Sequence, residues 1–507
     1  MTLRTQTLLT EADTTREQAN AALDESTRSA LGQFMTPGVV ASFMASMFQD
    51  LGPEIRLLDA GAGVGSLTAA VVDEVLARPS KPKLIEATAY EVDPVMLSGL
   101  RDVFGSCESV ARRARVRFVG RIVERDFIGD GASFLDPGMF RNGSVPRFNA
   151  AILNPPYRKI SSHSRERLQL RAAGIETSNL YAAFVGLALR LLEPGGALVA
   201  ITPRSFCNGP YFRPFRRLLL DEASLLRIHI FESRNRAFRD DAVLQENIIF
   251  HAKKGAPRGE VVLSSSAAPG EQVSERIVPH ATVVDPKDPN AFIHLATSKE
   301  DAEMAKRMSS LPSTLLDLGL TVSTGRVVDF RAREFLRDDP ALHTVPLIYP
   351  THFNGGFVAW PKLGGRKANA LSDENATQAL MVPNETYVLT KRFTSKEERR
   401  RVVAVVCDPS RLPTGVTQLG IENHVNYFHA RGRGLSKGVA LGLATYLNSS
   451  LVDRYFRQFN GHTQVNATDL RSLRYPTLAT LKAMGKRVGK AFPNQAGIDA
   501  IVDDALA

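Results

Sequence analysis

From about residue 55 to residue 252, short apolar runs alternate with stretches of helical periodicity. The runs "IRLLDA", "KLIEATAYEV", "RVRFVGRIVE", "FNAAILN", "GALVAIT", "LRIHIF" and "NIIFHA" predict strands, and "LTAAVVDEVLA" and "LYAAFVGLALRLLE" predict helices between them. Such alternation is the signature of an α/β fold built on a doubly wound sheet. The second helix is expected to stop at Pro194, Gly195 and Gly196, which break its pattern. The last two strands lie close together in sequence, so one of them is expected to run antiparallel at the sheet's edge.

The rhythm changes at "AKKGAPRGE" (Ala252 to Glu260), whose glycine, proline and charge leave no apolar face and predict a linker. Domains of residues 1–252 and 260–507 follow. The second has shorter apolar runs, proline-rich turns and no βαβ rhythm, which predicts an α+β domain closed by a helical tail near "TLATLKAMGKRVGKAF". A hydrophobic content of 44% and a charged content of 23% are ordinary for a globular protein and exclude neither enzyme nor binding module. The formal net charge of +10 is compatible with a polyanionic partner. Cys107, Cys207 and Cys407 are far apart, which argues against a zinc knuckle, any other metal site or a disulfide framework. The N-terminal stretch is polar, and the longest apolar run, "LYAAFVGLALRLL", is broken by Arg190 and too short for a bilayer. A cytoplasmic chain without a membrane partner is expected.

Two stretches carry chemistry. In "LLDAGAGVGSL" a buried strand ends at Asp59, glycines follow at 61, 63 and 65, and a helix begins. Glycines let backbone approach a ligand closely, and the helix N-terminus favours polar or anionic groups. The spacing differs from the dinucleotide fingerprint, whose third glycine falls one residue later. Glu91 closes the next strand, where an acid can take both hydroxyls of a ribose; Asp126 closes the third, with Phe127 placed against an adenine ring. Together these predict a cradle for an adenosine-containing cofactor. In "LNPPYRK", Asn154 follows a strand, and Pro155 and Pro156 stiffen the turn before Tyr157. The Asn154 side-chain carbonyl and the Pro155 main-chain carbonyl could accept both N–H bonds of a planar amine, and Tyr157 could stack on its ring.

In this order the motifs resemble the gamma-class N6-adenine DNA methyltransferases, TaqI-like in plan. "LGQFMTP" resembles the segment that folds over the methionine end of S-adenosyl-L-methionine, which puts Thr36 and Pro37 beside the cofactor. "DAGAGVG" resembles the cofactor loop and "NPPY" the catalytic motif; "ITPRSF" and "AFRDDAVLQENIIF" resemble later strand motifs, with Phe238 as a second base-stacking aromatic. The stretch Leu443 to Pro476 is similar to the closing segment of target-recognition domains in restriction–modification systems, and "VSTGRVVDFR" and "TKRFTSKEERRR" look like parts of the same domain. Lys391, Arg392, Arg399, Arg454 and Arg457 would then neutralise phosphates, and Asn460, His462 and Gln464 would reach base edges. The BsuBI/PstI branch is the expected nearest kin, implying a palindrome such as CTGCAG. The resemblance further implies methylation of double-stranded DNA, a separate restriction endonuclease as functional partner, and a monomer. N4-cytosine methylation, protein-glutamine N5-methylation and a DNA-binding relic without activity stand as alternatives.

Overall fold

In the computed structural model, which describes residues 6–22, 35–135, 145–231, 246–395, 397–461 and 463–507, the predicted apolar runs become strands of one sheet. They are β1 (Glu54–Ala60), β2 (Leu84–Tyr90), β3 (Arg117–Val123), β4 (Phe148–Leu153), β5 (Leu192–Pro203), β6 (Ala223–Phe231) and β7 (Asn247–Lys254), joined by β8 (Glu260–Ser266) and β9 (Ser274–Pro279). Among the described residues the order is β3-β2-β1-β4-β5-β7-β6-β8-β9. The pairs β3-β2, β2-β1, β1-β4 and β4-β5 are parallel, as near-continuous apolar runs flanked by helices should be. Adjacent strand residues point to opposite faces, so Leu57 joins one core and Leu58 the other. Helices Ser66–Ala77 and Pro94–Arg113 supply Val71, Leu100 and Phe104 to the first core, and helix Leu180–Leu191 supplies Phe184 and Leu187 to the second. The α/β fold is as expected.

Three details differ. Of the last two predicted strands the antiparallel one is β7, and it lies inside the sheet between β5 and β6; the antiparallel strand at the edge is β9. The first six residues of β7 are all buried, which an edge strand with one open side would not require. The stretch Ala252 to Glu260 is no linker: β7 runs through Lys254, and the turn is tied down by Lys254 Nζ donating to the Arg190 and Leu192 carbonyls at 2.9 and 2.7 Å. Ser224 Oγ donates to Ala256 O at 2.6 Å, and β8 then pairs with β6. The first unit therefore extends to Thr297, and the division falls between Thr297 and Ser298. Helix Leu180–Leu191 also stops before the predicted Pro-Gly-Gly, which instead lies within β5.

The unit Ser298–Ala507 is α+β. Among its described residues, one sheet orders β10 (Thr321–Thr324), β20 (Val425–His429), β17 (Tyr387–Lys391), β18 (Ala404–Cys407), β14 (Phe357–Val358) and β13 (Phe353–Asn354). A second orders β11 (Leu336–Arg337), β15 (Ala370–Ser372), β12 (Thr344–Ile348), β19 (Gln418–Ile421) and β16 (Met381–Pro383). The predicted helical tail is two helices, Leu478–Lys486 and Gln495–Leu506. Helix Lys437–Leu447 meets Leu478–Lys486 backbone to backbone: a Cβ on Gly442 would sit 1.8 Å from Leu481 O, and one on Gly485 2.0 Å from Gly438 O.

This contact makes a prediction about stability. Gly442→Ala gains about 1 kcal/mol of helix propensity. Its methyl group, however, cannot fit without separating the helices, and overpacking of this kind costs about 1–3 kcal/mol. A net fall in unfolding free energy is expected in denaturant titrations of the full chain, and a rise would show that the two backbones part freely.

Candidate active site

The strand order reverses between β1 and β4, and open α/β sheets bind ligands in the crevice beyond the carboxyl ends at such a switch point. The residues singled out from the sequence follow β1, β2, β3 and β4. After β1 the chain turns at Gly61 and Gly63, and the Gly61 and Ala62 N–H groups donate to Tyr90 O at 2.9 and 3.0 Å, tying the turn to the end of β2. Gly65, with φ 87°, starts helix Ser66–Ala77, and a Cβ there would lie 2.8 Å from Leu100. Both backbone conformation and packing demand glycine at this position.

Glu91 is buried and its carboxylate organises the turn. Oε2 accepts from Gly63 N at 2.8 Å, and Oε1 accepts from Val92 N and Asp93 N at 2.7 and 2.9 Å. Of about four lone-pair sites on a carboxylate, three are thereby occupied. Asp126 caps helix Phe127–Leu135, its Oδ2 accepting from Gly129 N at 2.7 Å. Phe127 is buried between Tyr90 and Phe184, with ring centroids 5.1 and 5.2 Å away.

At the end of β4, Asn154 Nδ2 donates to Thr36 Oγ1 at 2.9 Å, and Asn154 Oδ1 accepts from the Tyr157 hydroxyl at 3.1 Å. Thr36 is itself buried. The Tyr157 ring stands edge-on to Tyr181 at 6.1 Å, and Tyr181 stacks on Phe212 at 5.4 Å. Burial pushes the Tyr157 phenol well above its ordinary range, so it stays a neutral donor.

A cavity of about 220 Å³ brings these pieces together. Thr36, Gly61, Gly63, Glu91, Asp126, Phe127, Asn154 and Pro156 line it; Pro37, Asp59, Gly65, Pro155 and Tyr157 are not on its wall. Pro37 precedes helix Gly38–Ser46, and its carbonyl accepts from Ala41 N at 2.9 Å. Asp59 lies wholly buried, with Oδ2 accepting from Thr68 Oγ1 at 2.7 Å, so it supports the glycine turn and does not reach a ligand. Met35, Ser66, Tyr90, Arg125, Arg158, Glu166 and Phe184 also line the cavity and were not singled out from the sequence. Ser66 had a signal: it is the first helical residue after the glycines. Its hydroxyl is buried and has no hydrogen-bond partner among the described residues. An orphaned donor at one end and an aromatic wall at the other fit a ligand with one charged and one planar end.

In the second unit the predicted DNA contacts divide. Arg399 and Arg454 are exposed. Lys391 Nζ lies 3.7 Å from Glu398, and Arg392 donates to Asn423 O at 3.1 Å beside Phe393. Arg457 is held by Asp453 at 2.8 Å and donates to Glu398 O at 2.9 Å. Asn460 must be corrected. It is 2% exposed, its Oδ1 accepts from Arg401 at 2.8 Å, and its Nδ2 donates to Gln464 O and Asp469, so its carboxamide joins segments and is not available to a base. Gln464 is half-buried and pairs with Phe393 through a backbone bridge. His424, unforeseen, lies against Phe393 with Nδ1 bonded to the buried Glu422 carboxylate. Phe238 and His462 lie outside the described residues.

Residues 126–238 match the family described as Eco57I restriction-modification methylase. The type II methyltransferase M.PstI of Providencia stuartii is 47% identical over 97% of this chain and 96% of its own length. The type II methyltransferase M.BsuBI of Bacillus subtilis is 42% identical over 98% of both. The chain belongs to the type II DNA methyltransferases of restriction–modification systems. Both relatives match nearly end to end, as the BsuBI/PstI resemblance implied. The fold also agrees with a solved structure, the type IIL restriction-modification enzyme MmeI in complex with DNA, at a TM-score of 0.51, 11% identity, and coverage of 98% of this chain and 73% of that one. Protein glutamine is thereby left without support as the acceptor of this methyltransferase.

The buried Asp59 yields a pH prediction. Desolvation pushes its pKa up to about 7 against the pull of the Thr68 hydrogen bonds, with the Glu91 charge adding to the rise. A carboxyl whose folded pKa exceeds its unfolded value contributes stability that is full below pH 4 and is lost as pH rises through 7. Between pH 5 and pH 8 the wild-type chain should lose on the order of 2–4 kcal/mol relative to Asp59→Asn, read from unfolding midpoints at both pH values. A constant gap would mean that Asp59 is ionised throughout.

Proposed function

We propose that this methyltransferase transfers a methyl group from S-adenosyl-L-methionine to the N6 amino group of an adenine flipped out of double-stranded DNA. The observation that carries the proposal is the shared cavity, in which Asn154 lines the same space as the glycine turn, Glu91, Asp126 and Phe127. When bound, the cofactor supplies a methyl group on a positively charged sulfonium. Ser66 and Thr36 would meet its amino-acid end, the remaining Glu91 lone pair one of its ribose hydroxyls, and Asp126 and Phe127 its adenine. Pro37, Asp59, Gly61, Gly63 and Gly65 would shape that cradle.

An adenine amine is a poor nucleophile because its lone pair is delocalised into the ring. Asn154 Oδ1 and the Pro155 carbonyl would accept its two N–H bonds, favouring a pyramidal nitrogen aimed at the methyl donor. Catalysis is then mostly positioning, and the protonated product amine is acidic enough to need no strong base. Tyr157 and Phe238 would stack on the flipped base, which exposes its π face only outside the duplex. The second unit would hold the duplex, with Arg399 and Arg454 against phosphates. Modification by a monomer, protecting DNA from a separate endonuclease, completes the proposal.

Two measurements test it. The protein is incubated with S-adenosyl-L-methionine and unmethylated plasmid carrying CTGCAG, and the DNA is digested to nucleosides for mass spectrometry. N6-methyladenine is expected, lost about a hundredfold or more in Asn154→Ala, with cofactor and DNA binding kept; N4-methylcytosine would replace the base. In DNA-binding titrations against salt, Arg399→Ala with Arg454→Ala should reduce the slope of log K by about 1.8; an unchanged slope would remove both from the interface.

A further inference from the structure

Thr36 belongs, by resemblance, to the cofactor segment, yet its hydroxyl oxygen lies 2.9 Å from Asn154 Nδ2. The two are 118 residues apart in sequence, and Thr36 is only 4% exposed. A carboxamide can turn over about its terminal torsion and exchange oxygen for nitrogen. For Asn154 only one orientation presents an acceptor to the target amine. The Tyr157 hydroxyl alone does not choose between them, because a hydroxyl donates to oxygen or accepts from nitrogen equally well. Thr36 has the same ambiguity until its own proton is engaged.

We infer that Thr36 is a positioning residue that sets the orientation of the Asn154 carboxamide: once the threonine hydroxyl donates its proton toward the anionic end of the ligand, its oxygen is left only as an acceptor for Asn154 Nδ2–H. The carboxamide oxygen is then turned away from Thr36, toward Tyr157 and the target amine. The inference rests on the proposed role of Asn154. It makes the occupied cradle and the competent catalytic amide two results of one hydrogen bond. Thr36 lies on the cavity wall beside Met35, Gly63 and Ser66, where a carboxylate drawn to the N-terminus of helix Ser66–Ala77 would meet it.

Thr36→Val removes the hydroxyl, both the acceptor for Asn154 and the donor toward the ligand, at nearly constant shape, and Thr36→Ser keeps both. At saturating cofactor, Thr36→Val should lower the single-turnover methylation rate about 10- to 100-fold, as misplacement of a catalytic group does. Its dissociation constant for S-adenosylhomocysteine, by calorimetry, should rise as well, because the donor toward the anionic end is lost, and saturation removes that loss from the rate comparison. Thr36→Ser should stay near the wild-type rate. The readout independent of turnover is the Asn154 side-chain amide in protein labelled with ¹⁵N-asparagine, identified by its loss in Asn154→Ala. Adding S-adenosylhomocysteine should shift that signal in the wild type and Thr36→Ser but not in Thr36→Val. Should Thr36→Val melt early, Thr36→Ala gives the same comparisons. The inference is overturned if the valine variant regains the wild-type rate at saturating cofactor, which makes Thr36 a binding contact alone, or if the amide signal responds unchanged. If Asn154→Ala itself methylates DNA normally, it is the underlying role of Asn154 that fails.

Discussion

Glu91 holds three backbone N–H groups from two segments, and most of the site depends on that buried carboxylate. Charge-assisted hydrogen bonds to backbone are roughly twice as strong as neutral ones. The turn after β1 can therefore sit over the end of β2 with its glycines open to the cavity, while helix Ser66–Ala77 begins at a defined point. Asp59 is tied to Thr68 of the same helix, buried so fully that its proton is retained to about neutral pH. Two acids at neighbouring strand ends thus differ in role because one meets N–H donors and the other is mostly desolvated.

The Asn-Pro-Pro-Tyr turn is held differently, by proline stiffness and by side chains around it. Pro155 and Pro156 give the turn little freedom, and the Asn154 amide is fixed at both ends by Thr36 and Tyr157. Behind Tyr157 the edge-on and stacked contacts of Tyr181 and Phe212 form an aromatic support. At the end of β5 a buried ion pair, Arg204 with Glu246 at 3.1 Å, joins that strand to the residue before β7. Such a pair is costly to break once buried, which ties the middle of the sheet together at the end where the site lies.

Polar groups in the second unit follow the same physics with a different result. Arg401 and Asn460 are buried and bonded to one another, to Thr394 and to Asp469, so residues with ideal chemistry for DNA serve as internal connections. Arg399 and Arg454 remain exposed. His424 illustrates the converse: a half-exposed ring oriented by a fully buried acid, on the turn that joins β19 of one sheet to β20 of the other.

The sequence by itself determined the strand runs, the glycine turn, the acids after β2 and β3, and the Asn-Pro-Pro-Tyr turn, because each depends on local periodicity or on residues with special backbone chemistry. Its ordered motifs also sufficed to identify the family. Tertiary structure alone decided that antiparallel β7 lies within the sheet, since pairing partners are distant in sequence, and that "AKKGAPRGE" is a tied turn, since its partners are carbonyls of residues about sixty positions away. It decided that Asp59 is wholly buried against Thr68, that the Ser66 hydroxyl has no partner among the described residues, and that Thr36 touches Asn154. Those are facts of burial and of long-range hydrogen bonding, which a residue's type and its immediate neighbours do not encode.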